Sequence, residues 1–134
     1  MKFFATLVLL TLPVCAFSQQ QGTDPEQEAE KKLYETVEKT VEHYSTVLDL
    51  DDTQIFFVDS ILTHDYRAML AELSDLNKAK VANSDLFYQV QDRWNEQIYN
   101  SFRKVLDDGQ WAKYLKTGAA RDKKNRDKRE AKRK

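Results

Sequence analysis

Leu50-Asp51-Asp52-Thr53-Gln54 and Leu106-Asp107-Asp108-Gly109-Gln110 each close one amphipathic stretch and open another. In both pentads an Asp side chain that can accept backbone N–H bonds is followed, three residues later, by a Gln that can reach back to the Asp backbone. That reciprocal arrangement starts helices, so the sequence predicts helix starts at Asp51 and Asp107. Any helical protein can use such a cap, and it is the layout around the two pentads that gives their recurrence weight.

Upstream of the first pentad, Asp24-Pro25-Glu26 supplies a cap, a proline suited to the first helical position and acid in the first turn. Leu33, Val37, Val41, Tyr44 and Leu48 then recur three or four residues apart, on one helical face that must end before Asp51. Between the pentads, a helix is expected from about Asp52 to about Ala82, with Ile55, Val58, Leu62, Tyr66, Met69, Leu73 and Leu76 as its main stripe. Phe57, Ile61 and Ala68 fall on a second face, with His64 beside them and Phe56 adjacent, so this helix has two apolar surfaces to cover. Asn83-Ser84-Asp85 offers capping side chains without Gly or Pro, and a turn into a third helix is preferred there over a kink. Phe87, Val90, Trp94, Ile98, Phe102 and Val105 form the stripe of that third helix, and Trp111, Tyr114 and Leu115 give a shorter fourth. After Gly118 no sizeable apolar residue follows, which leaves a solvated helical extension or a disordered tail.

Pro25 is the last proline, and Gly109 and Gly118 are the only glycines after Gly22. So few breakers over so long a stretch argue for an all-α chain of four helices built around a long helical hairpin. Residues 1–18 read as a secretory signal, with Lys2 before the apolar run Phe3 to Val14 and Ala16-Phe17-Ser18 as the small-x-small cleavage site. The apolar run is shorter than the roughly 20 residues that span a bilayer. Cys15 is the only cysteine, and Val14 before it is not the small residue that an acylation signal uses, so the expected mature chain has neither disulfide nor thiol chemistry. A periplasmic or secreted protein is the expectation, with a helical domain over residues 19–117 and a basic tail over residues 118–134. Residues 19–120 carry 11 Lys/Arg against 19 Asp/Glu, whereas residues 121–134 carry 9 against 3, so an acidic body precedes a basic end.

An exported, all-helical chain with two Leu-x-x-x-Gln helix starts one helical hairpin apart resembles the Spy/CpxP family of small periplasmic proteins. The family pattern is Leu-Thr-x-x-Gln, and this chain places Asp51 and Asp107 where Thr is expected, keeping the capping role. The resemblance implies a thin, bent, cradle-like helical dimer whose concave surface mixes apolar and basic groups. It also implies ATP-independent chaperone activity toward unfolded envelope proteins or, as the alternative, an adaptor role toward one folded partner such as a stress-sensor domain. Some related proteins bind zinc.

The residues themselves suggest binding rather than catalysis. His43 and His64 are the only histidines, and they lack the repeated spacing of a metal site, so no metal or other cofactor is expected. The glutamates from Glu26 to Glu42 read as a solvated helix face, and no phosphate loop or hydrolase nucleophile turn is present, so the chain is not expected to be an enzyme. Phe56, Phe57 and Ile61 are candidates for a client surface or dimer seam, unless the first helix buries them. Arg121, Lys123, Lys124, Arg126, Lys128 and Arg129 are candidates for attracting an anionic surface, set against a tail that solubilises the chain or folds back on the acidic body. Nucleic acid is not an expected partner, since no aromatic interleaves the tail to stack on bases.

Overall fold

The computed structural model describes residues 22 and 24–134, so the expected signal segment, Cys15 and the cleavage boundary lie outside the described residues. Helix α1 spans Pro25–Leu48, α2 Asp52–Lys78, α3 Ser84–Val105 and α4 Asp108–Tyr114. A π-helical turn over Leu115–Ala119 then leads into α5, Ala120–Arg133. The fold is all-α, with the four expected helices in place, and the basic end forms a fifth.

Local chemistry sets each boundary. The Asp24 carboxylate accepts the Glu26 N–H at 3.1 Å to start α1, and Asp49 stops it by turning left-handed at φ 55°. The α2 helix ends at Lys78, four residues short of the expected end. Lys80 is left-handed there (φ 54°), and the Val81 N–H folds back to the Leu76 carbonyl at 3.1 Å. The Asn83 side chain accepts the Asp85 N–H at 3.0 Å, so Asn83-Ser84-Asp85 is a true turn and helix start. Gly118 sits at φ 109°, which a side chain would strain, and this break sends α5 back along α3.

Helices α1, α2 and α3 run up, down and up. Across α1 and α2, Arg67 pairs with Glu30 and donates to the Tyr34 hydroxyl at 2.9 Å. Across α2 and α3, Arg93 pairs with Glu72, and the Trp94 indole N–H donates to the same carboxylate at 3.1 Å. Asp65 interrupts the expected α2 stripe. It is buried, and its Oδ1 accepts bonds from His64 Nδ1 at 2.7 Å and Gln97 Nε2 at 3.0 Å, which removes the penalty of an unpaired buried carboxylate.

The core lies toward the end of the bundle where the two pentads meet. Phe102, Leu48, Leu62, Val37 and Val58 are fully enclosed there, with Leu50, Leu106 and Ile98 around them. Tyr44 packs edge-on against Phe102 and Tyr114, and those two meet at a tilt, with ring centroids 5.3–5.6 Å apart, each such aromatic pair adding about 0.5–1.5 kcal/mol beyond area burial. Toward the opposite end the layer thins. Leu70 and Leu86 are 46% and 37% exposed, and Tyr34 and Tyr88 are about half exposed. Truncating Phe102 to Ala should therefore cost about 3–5 kcal/mol in chemical denaturation, as for a large side chain removed from a tight core. Leu70→Ala should cost under about 1 kcal/mol, and equal losses for the two variants would contradict a core concentrated at the pentad end.

Candidate functional site

Both pentads form the predicted capping boxes. Asp51 Oδ1 accepts the Gln54 N–H at 2.8 Å while Gln54 Oε1 accepts the Asp51 N–H at 3.1 Å. Asp107 and Gln110 repeat this at 2.8 and 3.0 Å. Leu50 and Leu106, which open the pentads, are buried in the core cluster and fix each helix start to it.

The fold then brings the two glutamines together. Gln54 Nε2 donates to Gln110 Oε1 at 2.7 Å, and Gln110 Nε2 donates to Gln54 Oε1 at 2.8 Å. Each amide spends its second N–H on the chain before the other pentad, Gln54 on the Val105 carbonyl at 3.1 Å and Gln110 on the Asp49 carbonyl at 3.3 Å. Every hydrogen bond of one capping box and its glutamine thus recurs in the other, 56 residues along. Each amide donates twice and accepts twice, which exhausts its hydrogen-bonding capacity. Two helix N-termini, both positive ends of helix dipoles, are held side by side, and Asp51, Asp52, Asp107 and Asp108 surround them with compensating charge.

One turn beyond this junction lie the candidate contact residues. Phe56 and Phe57 are 65% and 48% exposed, with their rings edge-on at 5.7 Å. Ile61 departs from the expectation, since it is partly buried and packs against the core cluster, so it does not belong to the exposed patch. The second apolar face of α2 therefore divides, with its Ile61 end covered inside the chain and its Phe57 end open. A shallow groove of about 500 Å³ between α1 and α2, lined by Leu33, Tyr66, Met69 and Leu70, adds apolar surface farther along.

The basic end is neither disordered nor a freely solvated extension. It folds back on the acidic body, and α5 lies antiparallel on α3. Arg126 reaches Glu96 at 3.2 Å, Arg129 grips Asp92 through two bonds of 2.6 and 2.9 Å, and Arg133 reaches Asp85 at 2.9 Å and Asp92 at 3.3 Å. Lys123 joins Glu96 at 3.2 Å. Arg126 and Arg129 also lie over the rings of Tyr99 and Tyr88 at 5.6 and 5.8 Å. Of the tail cations singled out from sequence, Lys123, Arg126 and Arg129 thus face α3, while Arg121, Lys124 and Lys128 face outward. The ladder's acids, Asp85, Asp92 and Glu96, were not anticipated. Their spacing of seven and four residues on α3 matches the three-, three- and four-residue spacing of Lys123, Arg126, Arg129 and Arg133, a complementarity legible only once the two helices are paired.

Hydrogen bonds from Arg133 and Gln89 hold the Asp85 carboxyl below the usual aspartate range. Partial burial pushes Asp92 up, but Arg129 and Arg133 together outweigh it and leave that carboxyl lowered as well. Burial pushes the Tyr44, Tyr66 and Tyr114 phenols up, so these rings stay neutral in the core. His43 lies beside Tyr44 with the two rings tilted at 55°, and His64 is tied to Asp65. Among the described residues no three His, Cys, Asp or Glu side chains converge as a metal site, and no helix is long and apolar enough to cross a membrane.

Two outcomes are expected from this geometry. Gln54→Ala and Gln110→Ala should each cost about 1–3 kcal/mol, because each leaves part-buried partners unsatisfied. In a urea-denaturation double-mutant cycle the double variant should cost less than their sum by about 0.5–3 kcal/mol, and additive losses would show that the amides do not act as a pair. Asp85 and Asp92 have folded-state pKa values below their unfolded ones, so their contribution is present above about pH 4 and is lost as pH falls through the depressed values. The arginine Nε–H signals of Arg129 and Arg133 in NMR should be distinct at neutral pH and collapse to solvent-exposed positions in that acid range; signals unchanged by acid would refute carboxylate-held docking.

Comparison with protein-family models, with curated proteins and with solved structures found no match for this chain, so its functional reading rests on the sequence and on the geometry just described.

Proposed function

We propose that this protein is an exported, ATP-independent chaperone-like protein that holds unfolded envelope proteins in the periplasm or outside the cell. The observation that carries the reading is the pair Phe56 and Phe57, adjacent aromatics left exposed on the first turns of a helix whose start is doubly capped. Large aromatics exposed on a rigid element mark contact surface rather than unfinished core. The resemblance of the two pentads to the Spy/CpxP pattern supports the same function.

Energetics favour a transient grip. Fully burying a phenylalanine gains roughly 1.5–3 kcal/mol, so two together reach only the low end of the roughly 4–15 kcal/mol of rotational and translational freedom lost on association. Useful holding therefore needs several weak contacts at once. The groove at Met69 and Leu70 and a second copy of the chain both supply them. An acidic body studded with apolar groups also keeps captured segments from collapsing together, and no nucleotide step is needed for release.

The test is an aggregation assay in which residues 19–134 are added at increasing ratios to two unrelated unfolding clients without ATP. Suppression of both is expected, and Phe56→Ser with Phe57→Ser should weaken it severalfold while helicity by circular dichroism is retained. Failure to suppress either client would reject general holding in favour of an adaptor that binds one folded envelope partner, such as a sensor domain.

A further inference from the structure

Helix α5 uses its cations on two opposite faces, and only one face is consumed. Lys123, Arg126, Arg129 and Arg133 point at α3 and are paired there with Asp85, Asp92 and Glu96. On the other side, Arg121, Lys124, Lys128 and Lys132 follow one another at three, four and four residues and are all exposed. At about 100° per residue they fall within an arc of roughly 80°, and they extend about 16 Å along the helix. The helix's own acids, Asp122, Asp127 and Glu130, lie outside that arc. Among the described residues Lys124, Lys128 and Lys132 have no ion-pair partner, and Arg121 has only its neighbour Asp122, at 3.1 Å.

The residue types divide with the faces. The inner face is mainly arginine, whose planar fork grips a carboxylate in fixed geometry, as Arg129 grips Asp92 through two bonds. The outer face is mainly lysine, a compact hydrated charge suited to diffuse attraction without fixed partners. Because the inner ladder already orders α5, the outer row is presented as a rigid line, and docking it costs little further ordering.

We propose that the outer row of α5 docks the protein onto an anionic lipid surface through phosphate-bearing headgroups. A straight row of cations without an intervening acid complements a flat array of negative charge. The row carries no large apolar side chain, so the attachment is peripheral, leaves the bilayer core untouched and reverses with salt. Its orientation turns the α3 side of the bundle toward the membrane. This docking is independent of the client-holding reading, since neither Phe56 nor Phe57 takes part.

The experiment is flotation of residues 19–134, which contain every described helix, with vesicles of phosphatidylcholine alone or mixed with phosphatidylglycerol. Binding is expected only to the mixed vesicles at low salt, and it should be lost at high salt. Each lysine near an anionic leaflet contributes roughly fivefold in partitioning, so the triple variant Lys124→Gln, Lys128→Gln, Lys132→Gln should bind about a hundredfold more weakly. Replacing the same three lysines by Arg should retain binding. The triple variant Lys39→Gln, Lys78→Gln, Lys104→Gln makes the same change in net charge elsewhere, on exposed residues without ion pairs among the described residues, and should also retain it. The proposal is overturned if the wild-type chain ignores the mixed vesicles, if the two Lys→Gln triple variants lose binding equally, or if soluble polyphosphate binds the row while vesicles do not.

Discussion

The reciprocal amide pair between Gln54 and Gln110 is the contact on which the rest of the molecule depends. A glutamine used only in a capping box satisfies one backbone N–H of its own helix. Here each glutamine does that and also bonds the other glutamine and a carbonyl two residues before the other cap, so two local devices become one long-range clasp. The clasp ties the α1–α2 turn to the α3–α4 turn. Leu50 and Leu106 anchor its two sides to the core, which is densest at this end.

Strength at one end permits thinness elsewhere. Three long antiparallel helices with the clasp at one end need no second layer to fix their order, and the opposite end leaves Leu70, Leu86 and Tyr88 in contact with solvent. Charge takes over where apolar packing stops. Arg67 with Glu30 and Arg93 with Glu72 bridge neighbouring helices, and the arginine ladder attaches α5, whose single buried side chain is itself an arginine. Exposed ion pairs such as Arg67 with Glu30 each contribute little, typically under about 1 kcal/mol, whereas the ladder pairs are partly buried and lie in register along two facing helices. The result is a junction held by apolar packing and the clasp, with an outer helix held largely by charge.

That division bears on function. Phe56 and Phe57 project from the firm end, so they stay exposed on a rigid helix rather than folding down over the core. The cations of α5 belong to the electrostatic end. The exposed aromatics and the exposed cations are therefore carried by elements held in different ways, α2 by the clasp and the core and α5 by its ion pairs.

The sequence by itself determined the starts of α1 to α4, the capping boxes, the all-α class and the apolar stripes, because each depends on residues within one or two turns of each other. It identified Phe56 and Phe57 as candidates for the same reason, since their surplus over one core face is a matter of helical periodicity. Only the tertiary structure decided that Gln54 meets Gln110, that Ile61 is covered while Phe57 is not, and that Arg126, Arg129 and Arg133 are spent on Asp85, Asp92 and Glu96. Those outcomes turn on which faces of distant helices come together, and two helices with complementary spacing carry no local mark of being neighbours. The buried Asp65 shows the same limit, because one of its two partners, His64, is its neighbour in sequence while the other, Gln97, lies 32 residues away in the chain.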